Sequence, residues 1–133
     1  MNINTKEIQA VSEKSEIKEA EVTVKVLEIN GDIDGKTAPQ VQGAVLPLVT
    51  KDSVLLLDLT QVSYMSSAGL RVLLSLHRKI STENGKLVLV GVAEEIQETM
   101  GITGFIDFFT LSANIDEALA TLNLSQQVLS TQH

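Results

Sequence analysis

Two adjacent hydroxyls, Ser66 and Ser67, stand in the stretch SYMSSAGLRVLL, between an apolar run and a run with helical spacing. A serine oxygen at such a boundary has three chemical uses. It can attack as a nucleophile, accept a phosphoryl group, or cap a helix by accepting a backbone N–H. The first use needs a base, and the chain offers none at a fitting spacing. MSSAG lacks the G-x-S-x-G spacing of a hydrolase nucleophile elbow, and the only histidines are His77, among leucines, and His133, the terminal residue. The chain has neither a G-x-x-x-x-G-K-[ST] phosphate loop nor a G-x-G-x-x-G fingerprint, and no His or carboxylate pair recurs at metal-ligand spacing. No enzyme activity, cofactor or metal is therefore expected.

The other two uses are compatible with each other. Serine ahead of an apolar helix is a preferred N-cap, stabilising by about 1 kcal/mol relative to alanine. The same helix end favours a phosphate, because its free N–H groups and positive dipole end attract negative charge. Local sequence permits both roles and selects neither. The small run Ser66-Ser67-Ala68-Gly69 also lets the backbone turn tightly. Two carboxylates stand near strand ends. Asp34, in GDIDGK, reads locally as a turn or cap residue, and Asp58, in LLLDLT, as an acceptor of structural hydrogen bonds.

The elements that must position these groups follow from periodicity. Val22, Val24 and Val26 alternate with polar neighbours, which marks a strand with one buried face. SVLLLDLT and KLVLVGV are continuous apolar runs, as expected of strands covered on both faces. Helices are predicted from Ala38, with Thr37 as N-cap and a break or kink at Pro47; across Leu70, Leu73, Leu74, His77 and Ile80, stopped by Gly85; over AEEIQETMG; and over NIDEALATLNL, with Asn114 as cap. DFFTL is a further candidate strand. Strands alternating with helices give an α/β domain with a mixed, mostly parallel sheet of four or five strands and helices mainly on one face. Functional loops in such sheets lie beyond the carboxyl ends of strands, so GDIDGK and SYMSSAG are expected to be neighbours in space.

Residues 1–20 are mixed and charged and can supply a first edge strand, a loose segment or a helix; residues 21–124 form the domain, and 125–133 read as a flexible tail. One domain suits 133 residues, and with 44% hydrophobic but only 3% aromatic residues the core must be aliphatic. The absence of cysteine suits a reducing cytoplasm, and the net charge of −7 argues against a nucleic-acid binder. No signal-peptide segment or membrane-length apolar stretch is visible, so a soluble cytoplasmic domain is expected.

LLLDLTQVSYMSSAGLRVLL resembles the signature of STAS-domain anti-sigma-factor antagonists, an apolar strand ending in L-D-L-[ST] followed by D-S-[ST]-G-L or S-S-A-G-L. NGDIDGKTAPQV resembles that family's G-x-[IL]-D loop, and GKLVLVGV with MGITGFIDFF resembles its closing half, so the likeness runs from about Val22 to Leu122. The resemblance implies a single STAS domain. It implies Ser67 as phosphoacceptor, with Ser66 the less favoured hydroxyl, and partner contacts at Asp34, Ser66, Ser67, Gly69 and Leu70. Ser66 stands where many phosphorylatable members carry Asp, which leaves the site less acidic and adds a second hydroxyl. The implied function is that of an anti-anti-sigma factor. Unphosphorylated, it would bind an anti-sigma factor serine kinase and free a sigma factor; phosphorylation would release the kinase, and a phosphatase would reset the switch. No contact with nucleic acid or membrane is implied. The alternative is a STAS scaffold that binds regulatory partners constitutively, with both serines serving only as caps.

Overall fold

The computed structural model describes residues 1–12 and 21–126. The elements in chain order are β1 (Asn2–Ser12), β2 (Glu21–Asn30), α1 (Ala38–Val45), β3 (Val54–Gln61), α2 (Ser67–Thr82), β4 (Lys86–Val90), α3 (Glu94–Thr103), β5 (Thr110–Ser112), α4 (Ile115–Thr121) and β6 (Leu124–Gln126). Short 3-10 turns follow α1 at Leu46–Leu48 and α3 at Phe105–Phe108. All six strands form one sheet in the order β5-β4-β3-β2-β1-β6. β2, β3, β4 and β5 run parallel, whereas β1 is antiparallel to both of its neighbours.

Strand alternation sorts the apolar side chains onto two faces. Leu27, Ile29, Leu55, Leu57, Leu59, Leu87 and Leu89 face one side, where they pack against α1, α2 and α3 through Val41, Val45, Leu70, Leu73, Leu76, Ile80, Ile96 and Met100. Val24, Val26, Leu56, Val88 and Val90 face the other side and meet Ala118 and Leu119 of α4. Both faces of the parallel strands are therefore covered, as the unbroken apolar runs of β3 and β4 require. Three helices lie on one face and one on the other.

Among the described residues the sheet has six strands rather than four or five. β1 pairs with β2 from Asn2 to Val11, and its other edge carries β6 over Ala10–Ser12. Both additions are weakly patterned. β1 is mostly exposed and buries only Ala10 completely, while β6 is three residues long. Ser125 and Gln126 thus belong to the sheet; residues 13–20 and 127–133 lie outside the described residues, so the tail expectation for 127–133 falls there.

The break expected at Pro47 is present, while the ends of α2 and α3 differ in detail from expectation. Pro47 falls in the 3-10 turn that ends α1. The stop of α2 is made at Asn84, which adopts a left-handed φ of 59°, one residue before Gly85. α3 continues to Thr103 because the left-handed residue that terminates it is Gly104, with φ 81°. Among the described residues no helix is long and apolar enough to cross a membrane.

Candidate functional site

The loops after β2 and β3 are joined backbone to backbone. Ile33 and Met65 form a parallel bridge, in which the Ile33 N–H donates to the Tyr64 carbonyl at 3.0 Å and the Ser66 N–H to the Ile33 carbonyl at 2.9 Å. Ile33 and Met65 are buried beneath this seam. On its outer side the Ser63 hydroxyl donates to the Asp32 carboxylate at 3.2 Å. GDIDGK and SYMSSAG are therefore in contact, as their place beyond parallel strands predicts.

Gly69 makes this contact possible. A Cβ at Gly69 would lie 2.7 Å from the Ile33 carbonyl oxygen and 2.9 Å from the Met65 Cγ. Any side chain there would push the two loops apart. Gly69 and Leu70 are both buried, so they shape the site from beneath and present no side-chain surface to a partner. Leu70 packs into the core with Leu73. Both pack beneath the surface that the resemblance assigns to partner contact.

The two serines separate by a single backbone turn. Ser66 takes an extended conformation, φ −80° and ψ 172°, and its Oγ accepts the Gly69 N–H at 3.2 Å. Its carbonyl accepts the Leu70 N–H at 3.0 Å, which starts the helix. Ser66 is thus the N-cap, and it is half-buried. Ser67 is the first helical residue and is exposed. Among the described residues its hydroxyl makes no hydrogen bond. The cap explains Ser66 completely and leaves Ser67 without a structural task.

Asp34 is bound into its own loop. Its Oδ1 accepts the N–H groups of Lys36 at 2.9 Å and Thr37 at 3.1 Å, while its carbonyl accepts the Ala38 N–H at 2.8 Å. These bonds, Thr37's first and then Lys36's, hold the carboxyl below its ordinary pKa, because they favour the charged form. Thr37 was expected to cap α1 with its side chain. Instead its hydroxyl donates to the Asp32 carbonyl at 2.7 Å and accepts the Asp34 N–H at 2.9 Å, and no helix N–H reaches it. Asp34 ties the loop; its second carboxylate oxygen is uncommitted among the described residues.

Asp58 keeps its structural reading, with its Oδ1 accepting from the Thr60 N–H at 3.0 Å and hydroxyl at 2.7 Å. His77 lies edge-on to Phe109 at 5.6 Å between ring centroids. Ten residues along α2 place it about 15 Å from Ser67 along the helix axis, too far to act as its base. Among the described residues no three His, Cys, Asp or Glu side chains could hold a metal ion. A concavity of about 700 Å³ lies at the opposite end of the parallel strands, near Asp52, Val54, Asn84 and Lys86.

Two exposed residues beside Ser67 escaped the sequence reading. Tyr64, 54% exposed, projects from the seam, since its neighbour Met65 takes the inward position. Alternation across the loop was the available signal. Arg71 is exposed one helical turn beyond Ser67, on the same side of α2.

Comparison with known proteins agrees with this fold. The STAS domain family model matches residues 14–118. An anti-sigma-B factor antagonist of Listeria monocytogenes is 34% identical over 97 residues, covering 72% of this chain and 85% of the relative. One from Bacillus subtilis is 32% identical over 98 residues, covering 74% of this chain and 89% of its own. Among solved structures, an anti-sigma factor antagonist from Mycobacterium paratuberculosis superposes with a TM-score of 0.63 at 28% identity, covering 90% of this chain and 93% of that one.

Proposed function

The chain belongs to the STAS-domain family of anti-sigma factor antagonists, and from that premise we propose that the face formed by the joined β2–α1 and β3–α2 loops docks an anti-sigma factor. The family works by regulated binding rather than catalysis. In this reading the partner is a cytoplasmic serine kinase that binds the chain while Ser67 carries a free hydroxyl. Docking occupies the kinase and releases its sigma factor. Exposed Tyr64, Ser67 and Asp34's uncommitted oxygen supply contacts, with Ser66 at their edge.

The observation that carries the proposal is the division between the serines. Ser66 takes the cap, so Ser67 is left as an exposed hydroxyl on the first residue of a helix. In the transfer, the Ser67 Oγ forms a bond to the γ-phosphorus of ATP as the β–γ bridging bond breaks and ADP leaves; the hydroxyl proton passes to a base of the kinase. The kinase supplies Mg²⁺ and the positioning groups. Phosphorylation adds about −1.5 to −2 charges at pH 7 in the middle of the docking face, beside Asp32 and Asp34. The added charge and bulk on the docking face release the partner, and a phosphatase restores the hydroxyl.

Capture of partners from source-cell lysate with wild type and with Ser67→Asp, followed by Mg-ATP and site-localised mass spectrometry, tests this reading. The expected result is an anti-sigma kinase retained by wild type, lost by Ser67→Asp, and leaving one phosphate on Ser67. Phosphate on Ser66 alone would overturn the division of roles. A retained anti-sigma partner that leaves no phosphate would support the constitutive scaffold.

A further inference from the structure

We infer that Arg71 is a built-in receptor for the phosphate on Ser67, so that modification neutralises a cation of the docking face as well as adding an anion. The inference rests on the assignment of Ser67 as phosphoacceptor, but it concerns a different residue and a different property. Ser67 and Arg71 are four residues apart on α2, the spacing that places two side chains on adjacent turns of one helix face. Both are exposed. Arg71 forms no salt bridge or hydrogen bond among the described residues, where the ion pairs are Lys6–Glu28 and Lys79–Glu83. Its own helical neighbours at the pairing distances are Ser67, Ala68, Leu74 and Ser75, none of them acidic. α2 has no Asp or Glu anywhere between Ser67 and Thr82. The guanidinium therefore neither packs in the core nor pairs with a carboxylate.

A phosphoserine at position 67 changes this. The dianion presents three acceptor oxygens one turn from five N–H donors in a planar fork, the geometry of a charge-assisted bidentate pair. Acid first and base four residues later is also the favourable order along a helix. α3 opens at the same end of the parallel strands with Glu94 and Glu95 in its first turn, and the adjoining β2–α1 loop carries Asp32, Asp34 and Lys36. The carboxylates oppose the dianion and Lys36 favours it, so a comparison that leaves these residues fixed isolates Arg71. In the unmodified state the docking face presents Arg71 as a free cation. In the modified state that cation is occupied, and any acidic contact it made on the partner is lost.

The test needs no kinase. Phosphoserine is incorporated genetically at position 67 of the full chain, and its second ionisation is followed by 31P NMR in wild type, Arg71→Gln, Arg71→Lys and Arg78→Gln. Removing the Arg71 charge should raise the phosphate pKa by roughly 0.3 unit or more, the equivalent of one helical charge pair. Arg71→Lys should give a smaller rise, because lysine keeps the charge and loses the fork. Arg78→Gln, nearly two turns further on, should leave the value unchanged. Raising the salt concentration should shrink the difference. Equal pKa values in wild type and Arg71→Gln would overturn the inference, as would an equal rise in Arg78→Gln, which would signal only net charge. Failure of any kinase to modify Ser67 would instead sink the phosphoacceptor assignment while leaving this measurement intact.

Discussion

α2 and α4 both open on a side-chain cap, yet their first turns are built for different ends. In α4, Asn114 accepts the Glu117 N–H at 2.9 Å and its amide donates back to the Glu117 carboxylate at 3.1 Å. Asp116 and Glu117 add negative charge to that turn. Cap, reciprocal bond and dipole are all satisfied within the element. In α2, Ser66 supplies a single cap bond, the first turn has no acid, and the first residue is an exposed serine with a cation one turn beyond. A helix start completed by its own side chains adds stability alone. One that leaves out the anion its dipole favours has a place for one, and in the proposed function a kinase would deliver it at Ser67.

The sharpest way to break this comparison is at Gly69. Gly69→Ala places a methyl against the Ile33 carbonyl, so the loops must separate, and we expect a loss of about 1–3 kcal/mol together with loss of partner binding. Thermal melts and partner titration read both. An unchanged melt would show that the seam between the loops is not rigid. Next in size are the caps. Ser66→Ala and Asn114→Ala should each cost about 1 kcal/mol, a fall of roughly 3–5 °C in melting temperature for a domain of this size. Ser67→Ala should stay within about 0.5 kcal/mol, since its hydroxyl makes no bond. A loss at Ser67 as large as at Ser66 would erase the distinction between the two serines.

A permanent acid should act in the opposite direction. Ser67→Asp should stabilise the fold by about 0.3–1 kcal/mol through the helix dipole, even as it weakens partner binding. Stability and affinity moving in opposite directions would distinguish a functional position from a structural one. Asp34 gives the last test. Its folded pKa lies below the ordinary value of 3.8, so its contribution is present above that value and is lost as pH falls through the folded pKa. Asp34→Asn should flatten that acid limb of the stability curve, and denaturant titrations from pH 5 downward would show it. An unaltered acid limb would mean that the loop hydrogen bonds do not depend on the charge.

Much of the scaffold was legible because strong patterns encode it. The alternation of Val22, Val24 and Val26 and the apolar runs of β3 and β4 give the central strands directly. The leucine spacing of α2 gives its buried face. β1 and β6 were less legible because an exposed strand and a three-residue strand are held by backbone pairing, which leaves little trace in side-chain type. The same limit applied at the site. Sequence placed the two loops together, but the choice between Ser66 and Ser67 as cap is decided by one residue's φ and ψ. Thr37 is the N-cap residue of α1 by position, but its hydroxyl is engaged by the Asp32 carbonyl and the Asp34 N–H, and the Gln40 N–H goes to the Thr37 carbonyl instead. Gly69 and Leu70 are buried beneath the seam, where Gly69 leaves room for the Ile33 carbonyl and Leu70 packs into the core.

The central claim is that Ser66 builds the helix start and Ser67 carries the switch. It is tested most directly by phosphoryl transfer to wild type, Ser66→Ala and Ser67→Ala from an anti-sigma kinase that binds the wild-type chain, read by intact mass and site-localised mass spectrometry. The prediction is one phosphate on Ser67 in wild type and in Ser66→Ala, and none in Ser67→Ala, with Ser67→Ala still binding the kinase. A phosphate on Ser66 in Ser67→Ala at the wild-type rate, or no phosphate in any of the three chains, would contradict it.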